Sequence, residues 1–146
     1  MTLGVYMADL NPLIRVRRHA VEQKQKFLAE LYRQAEELQN QKNTLLRQLD
    51  EEREKVKEMG AEMLSYFGPY SQAVKERVQD IDEAMAKLNR RIEVAREDMR
   101  EAFAELKKIE ITQERREAEG QAALDKKESQ DLDEAGIEGF RRKDGE

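Results

Sequence analysis

The stretch SYFGPYSQ, Ser65 to Gln72, places a glycine, a proline and three aromatic residues inside a chain otherwise dense in Glu, Lys, Arg, Gln and Leu. Glycine suits the backbone conformation just past a helix end, and proline suits the first turn of the next helix. Gly68 also precedes Pro69, and a residue before proline is disfavoured in the α conformation. The stretch therefore predicts a turn between two helices within residues 65–71.

An apolar residue recurs every three or four positions on both sides of this stretch. The first seam has twelve apolar residues in sixteen positions, and all eleven positions of the second are apolar. Such spacing is the heptad pattern of a coiled coil. The first seam comprises Ile14, Arg17, Val21, Lys24, Leu28, Leu31, Ala35, Leu38, Lys42, Leu45, Leu49, Glu52, Val56, Met59, Met63 and Tyr66, and the second Val74, Val78, Ile81, Met85, Leu88, Ile92, Ala95, Met99, Ala102, Leu106 and Ile109.

The two seams are out of phase, since continuing the first seam past Pro69 in its own register reaches mostly polar residues. We therefore predict an all-α fold, an antiparallel two-helix coiled-coil hairpin. Folding between Gly68 and Pro69 sets Leu31 opposite Leu106, although heptad patterns match at several offsets. The alternatives are an earlier turn, beginning near Gly60, and a kinked parallel dimer. A kinked helix is disfavoured because proline inside a helix costs roughly 3 kcal/mol.

The predicted domain organisation follows from the seams. Residues 1–10 form an N-terminal extension, and Met7 is an alternative start. Residues 11–128 form the coiled coil, with Asn11 as the cap of the first helix. The seams become polar toward the termini, which predicts loose pairing there and a partner that completes this end. Residues 129–146, with three glycines, form a frayed or flexible tail.

The composition narrows the classes of function. Of 146 residues, 40% are charged, with a net charge of -5 and both signs interleaved, so no nucleic-acid surface is predicted. The sequence contains no cysteine, which excludes disulfides and thiolate metal sites. The opening residues do not form a signal peptide, and no apolar run is long enough to cross a bilayer. We expect a cytoplasmic protein.

The chemistry-bearing residues do not predict an enzyme. Two helices offer no concave pocket, and His19 is the only histidine, so we expect no catalytic residue, no metal site and no cofactor. The cluster RVRRH, Arg15 to His19, is either a solvated face or a site for an anionic protein surface. Membrane-surface or nucleic-acid binding through it is a more remote alternative.

The three aromatic residues of the predicted turn, Tyr66, Phe67 and Tyr70, have two interpretations. They either seal the turn or form a docking site, because three aromatic side chains at the apex of a thin hairpin are hard to bury.

Three segments carry a family resemblance: the basic helix LIRVRRHAVEQKQKFLAEL, the segment YSQAVKERVQDID after the turn, and the closing ERREAEGQAALDKKESQDLDEAGIEGFRR. Together they resemble the flagellar export protein FliJ family from about Asp9 to Arg142. The C-terminal KKESQDLDE followed by an arginine-bearing tail is the most particular part. The similarly shaped stalk proteins of virulence type III secretion systems are distinguished only by the fit of this C-terminal pattern.

The resemblance implies a non-enzymatic coiled coil of type III export, similar to the central stalk of rotary ATPases. It implies that the terminal end enters the ring of the export ATPase FliI, a hexamer, and that other surfaces contact the export gate protein FlhA and export chaperones. Membrane association would then be peripheral, through the export apparatus. We expect Arg15, Arg17, Arg18, Arg141 and Arg142 to face the ring, and the aromatic tip to bind the gate. The alternative is a self-associating structural coiled coil.

Overall fold

The structure is a computed structural model that describes residues 9–144. Two α-helices, α1 (Asn11–Met59) and α2 (Leu64–Asp144), are joined by Gly60 and a short 3-10 helix, Ala61–Met63. The helices pack against each other in antiparallel order, so the predicted all-α hairpin is confirmed. The predicted extension 1–10 lies largely outside the described residues, as does the alternative start Met7.

The turn lies at Gly60, and its predicted position within residues 65–71 is wrong. Gly60 has φ 91° and ψ -176°, a backbone conformation that essentially only glycine adopts. The Gly60 N–H donates to the Val56 carbonyl at 3.3 Å, and the Met63 N–H donates to the Gly60 carbonyl at 3.3 Å. The chain thus closes the last turn of α1 and opens the next helix within four residues.

Pro69 instead lies inside α2, in its second turn. Proline has no N–H, so the Ser65 carbonyl loses its intrahelical donor there. Ser65, Gly68 and Pro69 are all exposed, so water can reach this carbonyl. The spacing of the second seam continues without a break from Val74 toward the start of α2, because Ser71 is buried and Phe67 is half-buried. The phase break that we located at Gly68-Pro69 therefore lies at Gly60, beyond the last buried residue of the first seam, Val56.

The register of the hairpin also differs from the predicted one. Lys42 Nζ donates to Asp82 Oδ1 across the two helices at 2.7 Å. A turn between residues 68 and 69 would have placed residue 42 opposite residue 95, an error of about two heptads. A shift of this size leaves apolar positions facing apolar positions, which is why the seams could not reveal it.

The described residues form two compact units, of which one comprises residues 21–101. Its core has two clusters, and Leu31 is the side chain that is fully buried. Partly buried Ala35, Leu38 and Met99 pack on the first cluster. Burial of one such leucine contributes about 1.5–3 kcal/mol. The clusters comprise Leu28, Leu31, Leu88, Ile92 and Ala95, and Leu45, Leu49, Val74 and Ile81, all of them predicted seam positions.

The other unit comprises residues 1–20 and 102–146, described here for 9–20 and 102–144. Ile14 and Leu106 are its buried apolar residues. Asn11 is the first helical residue, and its N–H donates to Asp9 Oδ1 at 2.9 Å, so Asp9 takes the capping role that we assigned to Asn11. The Leu10 N–H donates to Gln113 Oε1 of α2 at 2.9 Å, which holds the start of α1 against α2.

Helix α2 does not end near residue 129, as its glycines predicted, but continues to Asp144. Every residue from 117 to 143 is exposed. We call residues 117–143 the overhang, because α1 begins beside Gln113 and the helix continues beyond it without a facing helix among the described residues.

Candidate protein-binding surfaces

The basic cluster at the start of α1 lies against acidic residues of α2. Arg18 Nη2 approaches Glu110 Oε1 at 3.4 Å, and Arg15 and Arg18 line a shallow groove together with Glu114 and Glu117. Arg17 and His19 are exposed on the same helix. Within residues 9–144, Arg15 and Arg17 make no ion pair, so two of the three predicted arginines keep an unpaired positive charge.

Gln113 is the buried polar residue of this end, with 4% of its surface exposed. It accepts a hydrogen bond from the Leu10 N–H and donates one through Nε2 to Glu117 Oε1 at 3.0 Å. A polar residue at a seam position is stable only when its hydrogen bonds are satisfied. Polar seam residues predicted loose pairing at this end, but at Gln113 the polar side chain makes a specific contact between the two helices.

The other two predicted arginines, Arg141 and Arg142, lie in the last turn of α2 and are exposed. Positive charge is favourable there because the carbonyl end of a helix carries a partial negative charge. From Glu110, the partner of Arg18, the helix rises about 45 Å to reach Arg141. The structure therefore does not bring the N-terminal and C-terminal arginines together.

The overhang exposes large apolar side chains that a single helix cannot cover. These residues were not predicted as a surface, because the glycines and scattered charges of this region predict a tail. The sequence does contain a signal for them, which is the break in the seam at Gln113 and Gly120. Apolar residues continue after this break, where the hairpin has no described residues of the first helix to face them. They are Leu124, Leu132, Ile137 and Phe140.

The three aromatic residues near the turn have two different environments. Phe67 and Tyr70 pack against the core cluster that contains Val74, so they help to seal the turn. Tyr66 is 55% exposed and stacks on Tyr70, with ring centroids 6.1 Å apart and an interplanar angle of 10°. Arg53 of α1 lies over the Phe67 ring, 5.9 Å from its centroid. The exposed aromatic surface is therefore that of Tyr66.

Two further apolar residues flank the turn and were not predicted as surface residues. Met59 and Leu64 are both largely exposed, on either side of the 3-10 helix. Met59 was assigned to the first seam, and its exposure follows from the end of pairing at Val56. Together Met59, Leu64 and Tyr66 define what we call the tip surface.

The most perturbed acid is Glu30, which lies in a surface ion pair. A hydrogen bond from Arg33 Nη2, at 2.7 Å, lowers the pKa of Glu30 to about 2, with a smaller contribution from Gln34. The same contact raises the pKa of Arg33. Both side chains are exposed, so this is a solvated i,i+3 pair on one helix and lacks the desolvated surroundings of a catalytic acid.

Residues 9–144 contain no group of three or more His, Cys, Asp or Glu side chains placed to hold a metal ion. No helix in this part of the chain is both long enough and apolar enough to span a membrane. The candidate functional features of the described residues are three exposed surfaces: the basic start of α1, the overhang and the tip surface.

An antiparallel two-helix coiled coil whose candidate sites are exposed helix surfaces belongs to the class of helical-hairpin interaction proteins. The profile of the family described as "Flagellar FliJ protein" matches residues 7–145. The chain belongs to the flagellar FliJ family, whose members are non-catalytic components of the flagellar export apparatus. Comparison with curated proteins and with solved structures gave no match.

Proposed function

We propose that this chain is the non-enzymatic stalk of the flagellar export ATPase, and that its terminal end inserts into the ring of the FliI hexamer and stimulates ATP hydrolysis. The observation that carries the proposal is the overhang, a single helix whose residues are all exposed. It extends α2 beyond the point where α2 pairs with the basic start of α1. A narrow helical end fits the centre of a ring better than the wider paired region. We place the protein in the cytoplasm, peripherally at the inner-membrane export apparatus.

The second half of the proposal concerns the tip surface. If the terminal end is enclosed by the ATPase ring, Met59, Leu64 and Tyr66 remain available for the export gate protein FlhA or for export chaperones. Exposed aromatic and methionine side chains are typical of such interfaces. A stalk that binds the ring through one unit and the gate through the other would connect ATP hydrolysis to the gate without any catalytic residue of its own.

The family match favours flagellar export over a virulence type III secretion system. The extended parallel dimer is disfavoured, because α1 and α2 pair within one chain through contacts such as Lys42 to Asp82. The net charge of -5 disfavours a nucleic-acid partner.

Charge reversal at the terminal end tests the stalk proposal. We expect the five-fold variant Arg15→Glu, Arg17→Glu, Arg18→Glu, Arg141→Glu and Arg142→Glu to abolish stimulation of FliI, since opposite charge would repel the surface that now attracts these arginines. The measurement is the rate of ATP hydrolysis by FliI with and without each variant. The two clusters should also be reversed separately, because about 45 Å of α2 separates Glu110, the partner of Arg18, from Arg141.

The control for this experiment is Lys75→Glu with Arg77→Glu, which reverses two exposed charges in the other unit. We expect the control to stimulate FliI normally. Full stimulation by the five-fold variant, with helicity unchanged, would contradict the stalk proposal.

Replacement of Tyr66 by alanine tests the tip surface. Since Tyr66 is largely exposed, we expect Tyr66→Ala to weaken FlhA binding at least several-fold while the thermal unfolding midpoint stays within a few degrees of the original. Phe67→Ala and Tyr70→Ala should lower that midpoint, because these rings pack on the core. Binding is measured by titration calorimetry with FlhA.

A matched control is Tyr32→Ala, which removes another exposed tyrosine from the same unit. The tip proposal is wrong if Tyr66→Ala and Tyr32→Ala bind FlhA equally well.

A further inference from the structure

A second exposed apolar surface lies within residues 21–101, away from the tip. Phe27 of α1 and Val94 of α2 are 52% and 63% exposed and line a shallow groove. Lys87, Arg90 and Arg91 border the same groove, and Asp98 is the acidic residue among its lining. The groove therefore combines an apolar floor with a basic rim. We call it the basic groove.

The positive charge of the basic groove is not neutralised within the chain. Lys87, Arg90 and Arg91 form no ion pair or hydrogen bond with any residue that the structure describes. Five arginines of the same unit have acidic partners, whereas among the described residues Arg77 and the lysines Lys24, Lys26 and Lys75 are unpaired like these three. What distinguishes the three cations is that they border one groove with an exposed apolar lining. The paired arginines are Arg33, Arg47, Arg53, Arg96 and Arg100.

The overhang carries the complementary surface. With 3.6 residues per turn, one face of α2 presents both apolar and acidic side chains between residues 124 and 138. In this interval the face carries three carboxylates, Lys127 lies at its edge, and the acidic stretch ends before Arg142. None of the three carboxylates pairs with another residue in the range 9–144. This acidic face comprises Leu124, Glu128, Asp131, Leu132, Ala135 and Glu138.

We propose that the acidic face of one copy docks into the basic groove of a second copy of this chain. Leu124 and Leu132 would cover Phe27 and Val94, and the carboxylates would pair with the basic rim. Each surface has exposed apolar side chains, and the unpaired charges of the two surfaces are of opposite sign. Docking would therefore bury the apolar side chains and pair the charges in one contact. The inference goes beyond the proposed function and does not rest on it, because it concerns the oligomeric state without the ATPase.

A single helix in a shallow groove buries less area than a standard protein interface, so we expect weak, concentration-dependent association. Sedimentation equilibrium of the full chain at increasing concentrations should show a reversible rise in mass. Higher salt should shift the equilibrium toward the monomer, because exposed charge pairs are screened.

Charge reversal separates this mode of association from others. We expect Arg90→Glu with Arg91→Glu to raise the dissociation constant about tenfold or more, and Glu128→Lys with Asp131→Lys to do the same. The control is Lys75→Glu with Arg77→Glu, which makes the same change of charge in the same unit outside the groove and should leave the constant unchanged. All these positions are exposed, and circular dichroism checks that helicity is retained.

Mixing the two charge-reversed variants gives the decisive result. Each variant alone repels itself, but the acidic groove of one now matches the basic face of the other, so the mixture should associate more tightly than either alone. A wild-type chain that stays monomeric at every concentration overturns the proposal, even if the groove then captures an acidic helix of another protein. A mixture that associates no better than its components also overturns it.

Discussion

Replacing Leu31 by alanine is expected to lower the free energy of unfolding by about 2–5 kcal/mol, the usual cost of removing a fully buried leucine from a core. Leu31 is completely buried, between Leu28 and the residues Leu88, Ile92 and Ala95 of α2. A two-helix hairpin has a small core, so a loss of this size is a large part of its total stability. We expect the variant to be partly unfolded at room temperature.

The measurement is urea unfolding followed by far-ultraviolet circular dichroism. Leu46→Ala is the matched control, because Leu46 has the same side chain in the same helix but is exposed, and its replacement should cost less than about 1 kcal/mol. Equal losses for the two variants would show that Leu31 is not packed against α2.

Replacing Gly60 by alanine should lower the free energy of unfolding by about 1–3 kcal/mol, because a residue with a Cβ is strained at its φ of 91° and ψ of -176°. An added Cβ meets no atom within 4 Å, so the cost is conformational and not steric crowding by neighbours. The same urea titration measures it.

Gly68→Ala is the comparison that makes this test specific to the turn. Gly68 is helical and exposed, and apart from its chain neighbours no atom lies within 4 Å of an added Cβ. The gain of about 0.5–1 kcal/mol that alanine brings to a helix is offset here by contact of its Cβ with the Pro69 ring, so we expect little change in stability. A clear loss at Gly60 with little change at Gly68 places the turn at Gly60. The reverse pattern, with a loss at Gly68 and a gain at Gly60, would place it where the Gly-Pro pair predicted.

The seams were predictable because burial in a coiled coil depends on local periodicity. Every buried apolar residue, from Ile14 to Leu106, occupies a predicted seam position. The turn was misplaced because Gly-Pro is a strong local signal, whereas Gly60 has no proline beside it and acts only through its unusual φ. The register depended on the turn, and heptads match equally well when shifted by whole repeats.

The sequence identifies several residues of the candidate surfaces by their type, but it does not predict which of them are buried or which residues surround them. Tyr66, Phe67 and Tyr70 look alike in sequence, yet pairing across the hairpin buries part of Phe67 and Tyr70 and leaves Tyr66 exposed. The basic groove joins Phe27 of α1 to Val94 of α2, residues far apart in the chain. Such a surface appears only once the register is known.

The overhang has a consequence for how its helix is maintained. Starting a helix is unfavourable, whereas extending one costs little, and the paired part of α2 supplies the start. Residues 117–143 are held only by extension, and three glycines among them, Gly120, Gly136 and Gly139, each weaken it by about 1 kcal/mol relative to alanine. The helical content of this segment should therefore decrease gradually with temperature, starting from its C-terminal end. A protein that binds the segment would keep it helical at temperatures at which the free segment loses its helix.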